Sequence, residues 1–232
     1  MGISVVLLAV SEAENLKVLF PKILSMLDKT GTSYEVLLID SAKATDDTAD
    51  VCAQFPSVRY INQEEPRYAG AFRTGIKYAR EDHLLVLDAD GSHDPEMIPQ
   101  LYAKSLEGYD LVIGSRYCKG GRTHDAFFSF VMSKVLNLIM RLVIGVRAKD
   151  ISTSYRIYQT EQIKGVTLTC ENYEVLQEVI LRMKKNKKNF RIAEVPITFE
   201  KRLFGESKRR LMSFILTYVK TLFRFIRIRA GA

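Results

Sequence analysis

The sequence contains few cysteines and no arrangement of them that would build a site. Cys52, Cys118 and Cys170 form no CxxC pair and have no zinc-like spacing. This pattern excludes a disulfide scaffold and indicates reduced thiols in a cytosolic compartment. The N-terminal segment MGISVVLLAVSEAE has no basic stretch before its apolar run and becomes acidic at once. It predicts a first strand rather than a signal peptide.

Long uninterrupted apolar runs are also scarce. The two longest candidates are broken by Lys134 and Arg141, and by Lys220 and Arg224. We therefore expect no segment with the ~18 residues needed to span a bilayer. The sequence has no Ser-His-Asp arrangement and no GxxxxGK[ST] loop, which argues against a serine hydrolase and a P-loop nucleotidase.

Positive charge is concentrated at the C-terminus. The net charge is +7, and residues 201–232 contribute nine Lys/Arg and one Glu, so the first 200 residues together carry −1. A near-neutral body with one basic amphipathic end favours a membrane surface over nucleic acid as partner. Within 209–229, Lys220, Arg224 and Arg227 share one face, and apolar side chains lie largely opposite. The alternative is that this apolar face packs on the domain and the charges are solvated.

Strand and helix patterns alternate through the first half of the chain, and 47% apolar residues suffice for one well-packed domain. The predicted strands are 3–10, 34–39, 58–61, 83–87 and 111–113. Helices are predicted at 11–27, opened by a capping box at Ser11–Glu14, and at 45–55, 68–80, 127–146, 173–184 and 209–229, with a further strand at 191–199. This order predicts an α/β fold with a doubly wound, mostly parallel sheet. Ligands then bind beyond the carboxyl ends of the strands.

The segment LLVLDADGSHDPE is the sharpest candidate site. A hydrophobic strand delivers Asp88 and Asp90 into a turn, where Gly91 lets the backbone bend. Two carboxylates at this spacing can hold a hard divalent cation and bridge it to a diphosphate. The alternative is that both are solvated loop carboxylates, because an isolated DxD motif is a weak signal.

Four segments in fixed order carry a family resemblance. LDADGSHDPE, DLVIGSRYCKGG, DISTSYR and EVPITFEKRLFGESK together resemble family 2 glycosyltransferases, most closely the dolichol-phosphate or polyprenol-phosphate mannosyl- and glucosyltransferases. The resemblance covers about residues 3–210. It implies a GT-A (Rossmann-like) fold, Mg²⁺ or Mn²⁺, a GDP- or UDP-sugar donor and inversion at the anomeric carbon.

The resemblance also assigns roles on the donor side. The family's metal and diphosphate aspartates match Asp88 and Asp90, and the position that supplies a third metal ligand in some members falls on Ser92. The acidic residue after the first strand matches Glu12, and the aspartate that contacts the base or ribose matches Asp40.

On the acceptor side the resemblance implies a set of phosphate-binding residues, of which Arg116 is also counted as catalytic. A guanidinium is suited to such a role because it binds phosphate through two parallel hydrogen bonds. The alternatives are a surface salt bridge for Arg116 and a solvated basic run for the last three members. The set is Arg116, Ser152, Thr153, Arg156, Arg202, Ser207 and Lys208.

Several positions depart from the family pattern. Leu8–Glu12 replaces the usual PTYNE, and Asp40-Ser41-Ala42-Lys43 replaces DDGS and lacks its second aspartate. Lys43 either meets a diphosphate or points to water. A second phosphate-binding arginine of the lipid-phosphate enzymes falls on Ser129 or a neighbour. These departures affect base and acceptor choice more than the metal site.

The sequence therefore predicts a GT-A domain at 1–208 and a basic amphipathic helix at 209–232. The expected enzyme moves a hexose from GDP- or UDP-sugar to a polyprenyl phosphate on the cytoplasmic face of a membrane. Such a lipid phosphate needs no strong base, whereas a hydroxyl acceptor would need one, for which Asp150 is the nearest candidate. The alternatives are a family member that glycosylates a saccharide hydroxyl and a non-catalytic membrane-associated relative.

Overall fold

A seven-stranded sheet forms the centre of the protein in the computed structural model, which describes residues 1–124, 126–204 and 211–230, with side chains of the last helix from 220 to 229. The strand order is β3-β2-β1-β4-β7-β5-β8. The strands are β1 (Gly2–Leu8), β2 (Ser33–Asp40), β3 (Val58–Asn62), β4 (His83–Asp88), β5 (Leu111–Ser115), β7 (Arg156–Gln159) and β8 (Ile192–Pro196). A separate two-stranded ribbon pairs β6 (Arg122–Thr123) with β9 (Thr198–Phe199) in parallel.

Helices cover both faces of the sheet, each over its own apolar core. One core contains Leu16, Phe20 and Ile23 of α1, and the other contains Phe72 of α3 and Val179 of α7. The doubly wound α/β prediction is therefore confirmed. The helices are α1 (Ala13–Asp28), α2 (Thr48–Ala53), α3 (Arg67–Tyr78), α4 (Ile98–Ser105), α5 (Phe127–Ile144), α6 (Thr160–Lys164), α7 (Val175–Asn186) and α8 (Leu211–Ala230).

One strand that the sequence did not reveal changes the centre of the sheet. β7 runs antiparallel between β4 and β5, with Val86 opposite Arg156. Continuing that register by two residues brings Ser154 opposite Asp88. The antiparallel strand therefore delivers the segment before Arg156 to the end of the sheet where ligands of parallel α/β sheets bind.

The predicted capping box at the start of α1 is wrong. Ser11 has a left-handed backbone (φ 59°), and the side chain of the N-cap residue Glu12 makes no capping hydrogen bond to the backbone of the first turn. Instead, the Asp46 carboxylate accepts a hydrogen bond from the Ala13 N–H at 3.0 Å. A residue distant in sequence thus satisfies one of the unpaired donors of the first turn, which local spacing could not indicate.

The expectation that no helix could span a bilayer is also wrong. Among the described residues, α5 is the one helix long and apolar enough to cross a membrane, with Lys134 and Arg141 inside it. It lies on the domain through Asn137, Met140 and Ile144, and only 17% of its residues are buried.

The last helix packs against α5 and α7. Phe225 is fully buried and Thr221 nearly so, whereas Phe223 and Ile226 are exposed. The alternative that the apolar face packs on the domain is thus confirmed for Phe225, whereas the neighbouring Ile226 side chain is exposed. Arg229 donates to the carbonyl oxygens of Leu142 and Val143 at the end of α5, where a helix accumulates unpaired acceptors.

Candidate functional site

The two aspartates of the DAD segment lie in a tight turn at the end of β4. Asp88 is the last residue of that strand and is half-buried, and Asp90 is 5% exposed. Gly91 has φ +82°, a conformation that side chains with a Cβ rarely adopt. A Cβ there would also collide with Leu203. The turn therefore depends on glycine both for its backbone and for the close approach of the segment that covers it.

One oxygen of each carboxylate is held by a serine hydroxyl. Ser154 Oγ donates to Asp88 Oδ1 at 2.8 Å, and Ser92 Oγ donates to Asp90 Oδ1 at 2.6 Å. The Ser92 N–H donates to that same Asp90 oxygen at 3.0 Å. Both serines are almost completely buried, so water does not compete for these bonds. The carboxylates are thus fixed in orientation, with their other oxygens left for further partners.

The buried side chain of His93 holds the backbone of the turn. Its Nδ1 accepts a hydrogen bond from the Asp88 N–H at 3.0 Å, and its ring stacks on Tyr155 with 4.8 Å between centres. Burial lowers the pKa of His93 despite the attraction of Asp88 and Asp90 for a proton. The imidazole is therefore neutral at neutral pH, and the single proton lies on Nε2 because Nδ1 accepts. His93 is therefore a structural residue that holds the backbone of Asp88.

A guanidinium reaches Asp90 from the chain after β9. Arg202 Nη2 lies 3.1 Å from Asp90 Oδ2. Burial favours the neutral carboxyl, but the hydrogen bonds from Ser92 and the charge of Arg202 outweigh burial, so the pKa of Asp90 lies below its ordinary value. Arg202 was predicted to bind phosphate, and the structure places it at the edge of the carboxylate turn.

These residues fit a hard divalent cation in their chemistry. They supply carboxylate oxygens, and a positive side chain already lies on Asp90, which shows that the turn favours a cation. Within the residues that the structure describes, no group of three His, Cys, Asp or Glu side chains could hold a metal ion. Further ligands would have to come from a bound diphosphate and water. Ser92 remains a predicted ligand, although here its hydroxyl donates to Asp90.

The predicted donor residues lie at the ends of the neighbouring strands. Asp40 is fully buried and accepts from the Ser41 N–H at 2.7 Å and the Tyr60 hydroxyl at 2.9 Å. Burial and this hydrogen bond to Asp40 raise the pKa of Tyr60 to about 12. Glu12 accepts from the Asn15 side chain. The Lys43 side chain is exposed, and its carbonyl oxygen accepts from the Ser41 hydroxyl.

Arg116 is held by a buried carboxylate rather than exposed as a surface salt bridge. Its Nε donates to Asp150 Oδ2 at 2.7 Å and its Nη2 to Asp150 Oδ1 at 2.9 Å, a two-point pair. Asp150 is completely buried; burial opposes its ionisation, but the Arg116 charge and hydrogen bonds outweigh burial and lower the pKa of Asp150. A carboxylate with both oxygens bonded to Arg116 and a lowered pKa is a poor general base. This argues against Asp150 as the base for a hydroxyl acceptor.

Asn137 of α5, which the sequence did not single out, fixes the loop that carries Asp150. Its Oδ1 accepts from the Ile151 N–H at 2.7 Å, and its Nδ2 donates to Ser152 Oγ at 2.9 Å. Ser152 Oγ also accepts from Arg116 Nη2 at 2.9 Å. Thr153 accepts from the Tyr155 N–H at 3.2 Å and is 4% exposed. A lone asparagine in an apolar helix was the available signal, because a buried amide needs partners.

The prediction that Arg156 binds the acceptor phosphate is wrong in this structure. The side chain is completely buried, with Nη1 and Nη2 donating to the carbonyl oxygens of Leu176 and Ile151 at 2.5 and 2.6 Å. Because β7 lies inside the sheet, Arg156 points into the core and joins α7 to the loop before β7. Its role here is structural. Ser207 and Lys208 lie outside the described residues.

A cavity of about 840 Å³ opens next to Arg116, between the β6–β9 ribbon and the start of α5. Lys134 Nζ lies 4.7 Å from the centre of the Phe130 ring, and the Arg116 guanidinium lies over Tyr117 and Phe199. The lining combines cations with aromatic rings, as a site for an anion on an apolar group requires. Its charged and aromatic members are Arg116, Tyr117, Arg122, His124, Phe127, Phe130, Lys134 and Glu200, whose carboxylate lies 3.5 Å from His124 Nε2.

The sequence matches Glycosyl transferase family 2 over residues 4–167. It is 34% identical over 197 residues to an undecaprenyl-phosphate mannosyltransferase of Micrococcus luteus, covering 81% of this chain and 81% of that protein. It is 30% identical over 233 residues to a dolichol-phosphate mannosyltransferase of Pyrococcus furiosus, covering 98% of this chain but 64% of the relative's length. The chain thus spans about two thirds of the Pyrococcus relative.

The same architecture occurs in glucosyl-3-phosphoglycerate synthase from Mycobacterium tuberculosis, solved with Mn²⁺, UDP and glucosyl-3-phosphoglycerate. The TM-score is 0.74 at 18% identity, covering 99% of this chain and 80% of that one. A second structure of that enzyme, with Mg²⁺ and UDP, gives 0.74 at 19% identity, covering 99% and 79%. This likeness concerns the fold. With a family match across most of its length, a GT-A-like sheet and a two-aspartate turn at the end of β4, the chain belongs to glycosyltransferase family 2.

Proposed function

We propose that this protein transfers a hexose from a GDP- or UDP-sugar to a polyprenyl phosphate, with inversion at the anomeric carbon and with Mg²⁺ or Mn²⁺. The observation that carries the proposal is the position of the carboxylate turn close to the Arg116 cavity. Phe199 joins the two regions, because its ring centre lies 5.5 Å from that of His93, which accepts from the Asp88 N–H, and 5.2 Å from the Arg116 guanidinium. The names of the two relatives support a polyprenyl-phosphate acceptor.

The donor side provides fixed negative oxygens for a metal-bound diphosphate. A divalent cation bound there would neutralise charge developing on the leaving nucleoside diphosphate. Asp88 and Asp90 would hold it, each oriented by its serine. Asp40 at the end of β2 and Glu12 at the N-cap of α1 are the proposed contacts to the nucleoside.

The acceptor side provides cations next to an apolar surface. Arg116 and Lys134 would bind the phosphate, while Phe127 and Phe130 contact the first part of the lipid. Phe127 is 81% exposed at the rim, so an apolar chain can leave the cavity along α5. This proposal gives Lys134 the role that the resemblance gave to Arg156. Lys134 lies five residues after Ser129, the position at which the resemblance placed a second phosphate-binding arginine.

A lipid phosphate suits this site because it needs no general base. Its second pKa is about 6, so it is an anion near neutral pH and attacks directly. Asp150, the candidate base for a hydroxyl acceptor, has both oxygens bonded to Arg116. This disfavours the saccharide-hydroxyl alternative.

The proposed location is the cytoplasmic face of a membrane, with α5 as well as α8 against the lipid. Neither helix contains an acidic residue. An apolar face with cations at its border is typical of helices that lie in an anionic interface. The exposed apolar side chains are Phe127, Phe128, Val131, Val135, Leu138, Ile139 and Leu142 on α5, and Phe223 and Ile226 on α8.

A transfer assay tests the proposal. Radiolabelled GDP-mannose, GDP-glucose, UDP-glucose and UDP-galactose are each offered with polyprenyl phosphate or with soluble saccharides, with Mn²⁺ or with EDTA. We expect label in the lipid fraction with one donor class, only with metal. Label in the saccharide fraction alone would show that the acceptor is a saccharide hydroxyl instead of a lipid phosphate. No transfer and no thermal stabilisation by any nucleotide sugar would support the non-catalytic alternative.

A further inference from the structure

The segment after β9 is folded down onto the carboxylate turn. Two backbone hydrogen bonds hold it there, Glu200 N–H to Ser92 O and Leu203 N–H to Asp90 O, both at 3.0 Å. The Phe204 N–H also donates to the Asn15 side-chain oxygen of α1 at 3.1 Å. Leu203 packs against Gly91, where a Cβ would collide with it. The segment 200–204 therefore forms a cover over the turn, fixed mainly by the backbone.

Arg202 lies within this cover, and its guanidinium contacts one oxygen of the Asp90 carboxylate. Asp90 Oδ1 already accepts twice from Ser92, and Arg202 Nη2 lies 3.1 Å from the other oxygen, Oδ2. A second cation on that carboxylate therefore has to share Oδ2 with the guanidinium or replace it. Two cations within about 4 Å of each other repel, and water screens them only in part here, because the Asp90 side chain is 7% exposed and the Arg202 side chain is 32% exposed.

We propose that Arg202 is an internal counter-cation that a divalent metal must displace from Asp90, so that metal binding and release of the 200–204 cover are coupled. The inference rests on the proposed metal role of Asp90. It has two consequences: metal alone binds weakly, because it competes with a tethered cation, and a diphosphate assists metal binding by giving the displaced guanidinium a new anion.

The test measures Mn²⁺ binding directly. Free Mn²⁺ is titrated by its electron paramagnetic resonance signal against the wild-type chain, Arg202→Gln and the matched control Lys201→Gln. Lys201 is the exposed neighbour in the same segment, so its substitution removes the same charge without removing the ion pair. We expect Arg202→Gln to bind Mn²⁺ without nucleotide about threefold to tenfold more tightly than Lys201→Gln.

Hydrogen exchange in the unmodified protein gives a second readout. The Leu203 amide should exchange faster when Mn²⁺ is added, because release of the cover breaks its bond to the Asp90 carbonyl. Equal or weaker Mn²⁺ affinity in Arg202→Gln than in Lys201→Gln, or unchanged Leu203 exchange at saturating Mn²⁺, would overturn the proposal while leaving metal-dependent transfer intact. If the wild-type chain binds no Mn²⁺ even with GDP or UDP, the metal role of Asp90 fails, and this inference fails with it.

Discussion

The carboxylate turn and the Arg116 cavity lie close together but are built differently. In the turn, the short side chains of Asp88 and Asp90 at the end of β4 are held by buried serine and backbone donors. In the cavity, long cationic side chains and rings come from a two-residue ribbon and the first turns of α5, with Phe127 almost fully exposed. A rigid turn suits a small hard cation, which demands fixed ligand positions. An adaptable aromatic lining suits a flexible lipid.

The largest effect is expected at the turn. Asp90→Asn keeps the size of the side chain and its acceptor for Ser92 but removes the negative charge. Transfer should fall about a thousandfold, because the charge that holds the metal on the leaving diphosphate is lost. The measurement is kcat/KM at saturating metal. Asp50→Asn, on the exposed side of α2, is the control and should retain activity; loss of less than tenfold in Asp90→Asn would remove this carboxylate from the mechanism.

Stability should depend more on the Arg116–Asp150 pair than on the other residues that line the cavity. Arg116→Met leaves the buried Asp150 carboxylate without its partner, and the free energy of unfolding should drop by about 3 kcal/mol. Urea denaturation of this variant and of Arg116→Met/Asp150→Leu checks the cause. The double variant should recover part of the loss, since no uncompensated charge remains. Equal stability of the single variant and the wild type would show that the pair contributes little.

The Arg116–Asp150 pair should also make the free energy of unfolding depend on pH in a definite direction. The pKa of Asp150 is lowered in the folded protein, so its contribution to stability is present above the ordinary carboxyl pKa of about 3.9 and is lost as pH falls through the folded value. We therefore expect the stability difference between the wild type and Asp150→Asn to shrink below about pH 4. A constant difference from pH 7 to pH 3, measured by urea denaturation, would contradict this assignment.

Within the cavity, Lys134 separates acceptor binding from donor binding. Lys134→Gln should raise KM for polyprenyl phosphate about tenfold, because one cation facing the phosphate is lost, and should leave KM for the nucleotide sugar unchanged. Lys149→Gln, exposed and outside the cavity lining, is the matched control. A rise in donor KM instead would assign Lys134 to the donor site.

The two regions also differ in how far the sequence could reveal them. Asp88 and Asp90 follow a buried strand, so periodicity and strand-end logic located them, and the family resemblance gave their chemistry. The partners that orient them could not be foreseen in this way, because Ser154 lies two residues before an antiparallel strand of only four residues, which the sequence did not reveal. Arg156 was misassigned for the same reason: a motif gives its position in the chain, whereas the burial of β7 decides which way the side chain points.

The α5 surface was the hardest to predict, since Lys134 and Arg141 interrupt its hydropathy while its helical face remains continuous in space. If that face lies on lipid, Phe128→Ser/Leu142→Ser should lower partitioning onto vesicles of phosphatidylcholine and phosphatidylglycerol about fivefold, because two exposed apolar side chains are lost. Flotation of the vesicles measures it. Val18→Ser/Leu106→Ser removes two exposed apolar residues elsewhere and should not change partitioning. Equal losses in both variants would mean that the contact is not specific to α5, and the cavity would then have to obtain its lipid from another direction.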